Sequence, residues 1–401
     1  MARAARAALV LGLVGFAALF GAAAWVLWQT DVPDNLQLPA VEASAVLDSD
    51  LLAEARDFEL FLRISYVVSL VVVIVVFALY ARYGGRFVRE SAAGRIGTGM
   101  LLGMLGLAIL WLIQTPFALV DHWWARRHDV SELGYVDWLI LNWFALGSEF
   151  LFICLALLIV MGLAGWLRFW WWVPGAVVFT GLVALFTFVS PYVIPAQEEP
   201  PPWVVDQANQ LAAEQGLPKI PVRVQVVESW EAPNAAATGL GPTRRVILWD
   251  TMLFSFSEDE IRVVLGHELG HHSANHLWKN IGWYALFAFP GALAIALITR
   301  RRGGMREPLA VPLALLVFVV LQTLALPVQN AITRHMEEEA DWIALETTQD
   351  PDGARNLFQG FAREALLDPD PPWWSYHLTE THPVIVDRVA MAEAWRDRRG
   401  R

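Results

Sequence analysis

Cysteine is nearly absent from this 401-residue chain: Cys154 is the only one, and it lies inside an apolar run. No disulfide can close within the chain and no cysteine-based metal site can form, so cysteine usage is silent about redox compartment. Charge is scarce as well, at 17% of residues, where a soluble domain carries about 25%. There is no basic excess. Twenty-nine Lys and Arg against 40 Asp and Glu leave a net charge of -11, which argues against a nucleic-acid partner. No repeat of solenoid type is visible. What fills the space is apolar: 56% of residues are hydrophobic and the mean hydropathy is +0.44. The excess is gathered in long runs, the pattern of an integral membrane protein.

Seven runs reach the roughly 20 residues that a bilayer crossing needs, near 8–28, 61–81, 97–120, 145–167, 171–193, 280–299 and 308–328. Arg3 and Arg6 precede the first, and Ala22-Ala23-Ala24 stands near its end. Its apolar stretch exceeds the core of about 7–15 residues found in signal peptides, so an uncleaved span is expected. Trp123-Trp124 and Trp170-Trp171-Trp172 read as interfacial belts, and Trp373-Trp374 as a further interfacial pair or the rim of an entrance. Glu149, in or at the edge of the fourth run, has no assigned role. The chain thus divides into a five-span region (1–193), a polar portion (194–279), two further spans (280–328) and a helical C-terminal region (329–401).

Within 194–279, Pro195 to Pro202 is a linker and Val204 to Leu217 a helix. Pro221 to Glu228 alternates Val222, Val224 and Val226 with Arg223 and Gln225, as a half-buried strand does. Arg245 to Leu248 is a second short strand. Ser257 with Glu260 forms a capping box. The helix it opens carries Ile261, Val264 and Leu265 on one stripe and runs through His267-Glu268-Leu269-Gly270-His271. The two histidines, four apart, lie on one helix face, where a single metal ion can take both imidazoles. Glu268 can reach a water on that metal. The whole reads as a mainly α-helical multi-pass membrane protein of about seven transmembrane helices, with a small α+β, zincin-like catalytic portion carrying the HExxH helix.

A catalytic zinc needs a third protein ligand. A histidine six residues past the second is excluded, because position 277 is Leu; His276 stands one residue off that register. The alternative is a carboxylate from Glu337-Glu338-Glu339, beyond the last span. Glu337 and Asp341 are four apart and share a helix face, so Glu337 can bind metal while Asp341 orients a ligand histidine. A solvated acidic helix face accounts for Glu338 and Glu339 and remains open for Glu337. His272 points off the metal face. His122 and His128 belong to an interfacial loop, and His335 and His377 have no evident role.

Four motifs resemble the type I CAAX prenyl endopeptidases, membrane-embedded zinc proteases, and more distantly the HtpX peptidases. They are the His267–His271 helix with His276 five residues on; Arg334, Glu337, Ala340 and Asp341; Thr381-His382-Pro383 with Arg388; and Asn234, Gly239, Arg245, Asp250 and Thr251 ahead of the metal helix. The resemblance covers most of the chain, the first five spans in pattern only. It implies a zinc metalloendopeptidase with one Zn2+ per chain, held by His267, His271 and Glu337. Glu268 becomes the general base and His382 the oxyanion donor, with Arg388 in support, Asp341 orienting a ligand, and Asn234 holding substrate backbone. The implied partners are the lipid bilayer and a peptide or protein substrate, lipidated by family precedent. The Arg245–Leu248 strand is expected to offer an edge on which a peptide adds as a strand.

Arginines are most lopsided in two loops, Arg82, Arg86, Arg89, Arg95 and Arg300, Arg301, Arg302, Arg306. Both fall on the side of Arg3 and Arg6. The positive-inside rule then places the N-terminus in the cytoplasm and the catalytic side outside, whereas the eukaryotic relatives face theirs to the cytosol. An outward site favours quality control of membrane proteins over prenylated substrates. The competing readings are a seven-span transporter or receptor with an accidental motif, and a catalytically silent binder.

Overall fold

The computed structural model describes residues 2–86, 93–227 and 232–400. Arg89, Glu228 and the side chains of Arg3 and Arg6 lie outside the described residues. Five long helices come first: α1 (Ala2–Leu27), α2 (Ser49–Tyr83), α3 (Gly94–Arg127), α4 (Tyr135–Leu167) and α5 (Trp172–Val193). Then come β1 (Gln197–Glu198), α6 (Pro202–Glu214), β2 (Val222–Gln225), β3 (Ala235–Thr238), β4 (Arg245–Trp249), α7 (Asp250–Ser255) and α8 (Glu258–Ser273). Two long helices, α9 (His276–Thr299) and α10 (Val311–Thr348), return to apolar sequence, and α11 (Pro351–Glu364), α12 (Trp373–Leu378) and α13 (Ile385–Arg399) close the chain.

Five stretches among the described residues are long and apolar enough to cross a bilayer: 49–86, 94–127, 135–193, 276–302 and 308–348. The third holds both α4 and α5, joined by a short 3-10 turn at Arg168–Trp171. The described part of α1 adds a shorter apolar stretch, Val14–Leu27. Their outer surfaces carry large exposed side chains such as Phe144, Leu151, Trp166 and Leu324, as lipid-facing helices do.

Helix α10 connects the membrane to the polar layer. Its 38 residues span roughly 57 Å, nearly twice a hydrocarbon core. The first half is apolar; the second carries Arg334, Glu337, Glu339 and Asp341, all buried. A continuous helix can deliver these groups beyond the bilayer only because they are covered there. The cover is one apolar core built from α6, β2, β4, α8, the end of α10, α11 and α13, with Ala55 and Phe58 of α2 reaching into it. Small residues let α8 lie against α10: Gly266 faces Ala344 and Thr348, and Gly270 faces Ala340 and Ile343. Ser257 caps α8 through Glu260, with both capping-box bonds formed.

The sheet runs β1-β2-β4-β3, with β2 parallel to β4 and both edge strands antiparallel. This corrects one expectation. The Arg245–Leu248 segment is no edge, because β4 pairs with β2 on one side and β3 on the other. Val246, Ile247 and Leu248 are fully buried, as a central strand requires. The edge beside the metal helix is β3. Its sequence, Ala-Ala-Ala-Thr, has no apolar alternation to mark it.

Candidate metal centre

His267 and His271 project from the buried face of α8, and Glu337 reaches them from α10. The two Nε2 atoms are 3.1 Å apart. Glu337 places Oε2 3.2 Å from His267 Nε2 and Oε1 3.5 Å from His271 Nε2. Among the described residues these three form a group whose ligand atoms all lie within 4.8 Å of one another. Two nitrogen lone pairs facing each other, beside a carboxylate, repel unless a cation or a proton lies between them. Glu337 Oε2 is buried with no hydrogen-bond partner. Two imidazoles and a carboxylate around an orphaned buried oxygen fit a divalent metal ion, with room left for a fourth ligand.

Asp341 takes His267 Nδ1 at 2.8 Å, leaving Nε2 free to face the site. Arg388, from α13, grips both oxygens of Asp341 at 2.8 and 2.7 Å. This fork neutralises a fully buried carboxylate and fixes its plane. Burial alone would lower the His267 pKa, but the neighbouring carboxylates of Asp341 and Glu337 outweigh it and hold the pKa up to about 10. Burial brings His271 down to about 3. The metal-free site therefore favours a second proton on His267, at Nε2, which a metal must displace.

A cavity of about 280 Å³ opens over this group. Glu268, His382 and Asn234 line it beside the three candidate ligands, and Leu357 and Phe358 form an apolar wall. Burial pushes the Glu268 carboxyl up to about 7, with His267 and an Ala237 backbone hydrogen bond pulling the other way. His382 stands at the mouth, its Nε2 3.3 Å from Glu337 Oε2 and its Nδ1 3.1 Å from Thr381 Oγ1. Arg388 touches the cavity only through Asp341. His272 turns away, to the Arg245 carbonyl at 3.0 Å.

One expectation fails here: Glu339 is no solvated acidic side chain. It is 2% exposed and bonds to His276, Lys279 and the Asp31 amide. His276 in turn meets His271 Nδ1 at 2.8 Å. Only the odd placement of His276, one residue off the familiar register, hinted at this connection.

The profile of peptidase family M48 matches residues 198–396, the span from β1 to α13. A protease HtpX homolog of Persephonella marina is 31% identical over 220 residues, covering 49% of this chain and 75% of that protein. The chain belongs to peptidase family M48. A relative of Bacillus subtilis described as the uncharacterized metalloprotease YhfN is 33% identical over 195 residues, 46% of each chain. CAAX prenyl protease 1 of Saccharomyces cerevisiae is 26% identical over 189 residues, covering 39% of this chain and 40% of the yeast protein. These matches span less than half the length of either relative. The crystal structure of S. mikatae Ste24p superposes over 94% of this chain and 96% of its own, with a TM-score of 0.69 at 18% identity. The M48 match thus runs from the sheet through the membrane helices α9 and α10 to α13, and the likeness of fold extends to the helices before the sheet.

Proposed function

We propose that this protein is an integral-membrane zinc metalloendopeptidase. The observation that carries the reading is the convergence of His267, His271 and Glu337 beneath a cavity also lined by Glu268 and His382. Zinc held by those three residues supplies Lewis acidity toward a carbonyl and a water. Glu268 accepts the proton of the attacking water and passes it to the leaving amine; its pKa of about 7 suits both transfers. His382 donates from Nε2 to the carbonyl oxygen as charge develops there. Asp341, held by Arg388, keeps His267 oriented.

Substrate backbone is held along β3. The Trp249 amide donates to the Asn234 carbonyl at 3.0 Å, so alternate residues Asn234 and Ala236 face β4 while Ala235 and Ala237 turn their polar groups to the open edge. An extended peptide adds there, with the Asn234 side chain contacting its backbone. The working division of the chain is a membrane region 1–193, a catalytic portion 194–279, two spans 280–328 and a C-terminal portion 329–401.

The substrate is a membrane-associated peptide or protein, and the name of the yeast relative, CAAX prenyl protease 1, suggests a prenylated one. A second reading, quality control of unlipidated membrane proteins on the outer side, is favoured by charge placement. Arg82, Arg95, Arg300, Arg301, Arg302 and Arg306 cluster at the ends of α2, α9 and the starts of α3, α10, opposite the end of α10 that carries Glu337. The N-terminus is then cytoplasmic and the site extracytoplasmic.

Metal analysis and cleavage of quenched peptides with and without a lipid tail test these readings. About one zinc per chain is expected, with activity lost about 10²- to 10⁴-fold in Glu268→Gln. Purified protein without zinc points to a transporter or receptor, and zinc without cleavage to a silent binder. A C-terminal reporter fusion reads the orientation.

A further inference from the structure

No carboxylate meets Nδ1 of His271, yet its ring is as tightly tied as that of His267. Its Nδ1 lies 2.8 Å from Nδ1 of His276, and His276 Nε2 lies 2.9 Å from Glu339 Oε2. Both partners are buried, at 1% and 2% exposure. The carboxylate only accepts, so His276 carries its hydrogen on Nε2 and offers a lone pair at Nδ1. His271 must then donate from Nδ1, which leaves its Nε2 lone pair turned toward His267 and Glu337. Reversing any hydrogen in this chain would point an N–H into the ligand cluster.

The intervening imidazole has a geometric reason. Glu339 lies two residues past Glu337, about 200° around α10, and faces α9 and the segment after α1 rather than the ligands. His276 bridges that gap. Asn275, in the left-handed region at φ 58°, turns the chain between α8 and α9 and brings His276 back over His271. Glu339 is itself held on both oxygens, by the Asp31 amide at 2.9 Å and by Lys279 Nζ at 2.9 Å; Lys279 also donates to the Gln29 carbonyl.

We propose that His276 and Glu339 are positioning residues that set the tautomer and ring orientation of His271 toward the metal, as Asp341 and Arg388 do for His267. Helix α10 then supplies one candidate ligand and the anchors of the other two. The inference rests on the metal-binding reading above, and its test separates the two.

The test is the zinc dissociation constant of the full-length protein in detergent, measured by chelator competition, with thermal unfolding of the metal-free protein as a control for folding. Glu339→Gln keeps the shape and removes the charge; it raises the zinc Kd about 10- to 100-fold. Lys279→Gln leaves His276 and Glu339 paired, so the Kd stays within about twofold or falls. His276→Asn retains an acceptor toward His271 but loses the carboxylate, and gives an intermediate rise; it stands in if Glu339→Gln does not fold. An unchanged Kd in Glu339→Gln, or equal losses in the Glu339 and Lys279 variants, overturns the proposal, the latter marking a structural tie only. Wild-type protein that binds no zinc removes the metal reading itself, and this inference with it.

Discussion

Arg334 and Glu380 are joined by a 2.6 Å hydrogen bond from guanidinium to main-chain carbonyl across 46 residues of chain. The same nitrogen donates to the Tyr376 carbonyl at 2.8 Å, and the guanidinium lies 4.1 Å from the centre of the Tyr376 ring. Glu380 shortly precedes His382, and Arg334 is one turn before Glu337. One helix thus holds both the acidic ligand candidate and the segment that carries His382.

Arg334→Ala is therefore expected to lower kcat for peptide hydrolysis about 10- to 100-fold while zinc content stays near one per chain, because displacing a catalytic group by about 1 Å has effects of that size. Combined with His382→Ala, the losses should fall well short of additive. Fully additive losses would show that Arg334 acts elsewhere.

The raised pKa of Glu268 makes a stability prediction with a definite sign. In the metal-free protein its carboxyl, ordinarily at 4.5, titrates near 7 because burial penalises the ionised form. Below about 4.5 the group is neutral in both folded and unfolded chains and imposes no cost. As pH rises toward 7 the unfolded chain ionises first and stability is lost, up to roughly 3 kcal/mol above pH 7. Glu268→Gln should match wild type in Tm at pH 4 and exceed it at pH 8. Equal Tm values at both pH values would contradict the buried charge.

Gly270 tests the contact between the metal helix and α10. A Cβ there would meet Ala340 and Ile343 at 3.4 Å, ordinary contact. Gly270→Ala should keep zinc and most activity. Gly270→Val adds methyls with no space to occupy, so it should separate α8 from α10 and cost about 1–3 kcal/mol along with zinc affinity. A valine variant with unaltered zinc binding would mean that the helix spacing does not set the ligand geometry.

Proline at Ala235 probes the open strand edge. The Ala235 amide donates to the Asn234 side chain at 2.8 Å and faces away from β4. Ala235→Pro removes that donor and leaves the bonds from β3 to β4 in place. KM for peptide substrates should rise about tenfold, with kcat changed much less. A fall in kcat at unchanged KM would place the substrate backbone elsewhere.

Features that depend on local spacing were open to reading along the chain. His267 and His271 share a helix face because they are four apart, and the capping box at Ser257 and Glu260 announced the start of that helix. Glu337 and Asp341 share a face of α10 for the same reason, and apolar runs marked the membrane segments. None of this needs a partner element.

Long-range pairing decided the rest. Which strand lies at the edge depends on its neighbours, so Val246 to Leu248 became central and the featureless Ala235–Thr238 became the open edge. Glu339 looks solvated when read alone; it is buried because α9, with His276 at its start, and the segment after α1 close over it. The apolar runs, too, left the number of crossings open, since α4 and α5 join into one stretch. Periodicity records which way a side chain points from its own helix or strand. What stands opposite is fixed only when distant segments meet.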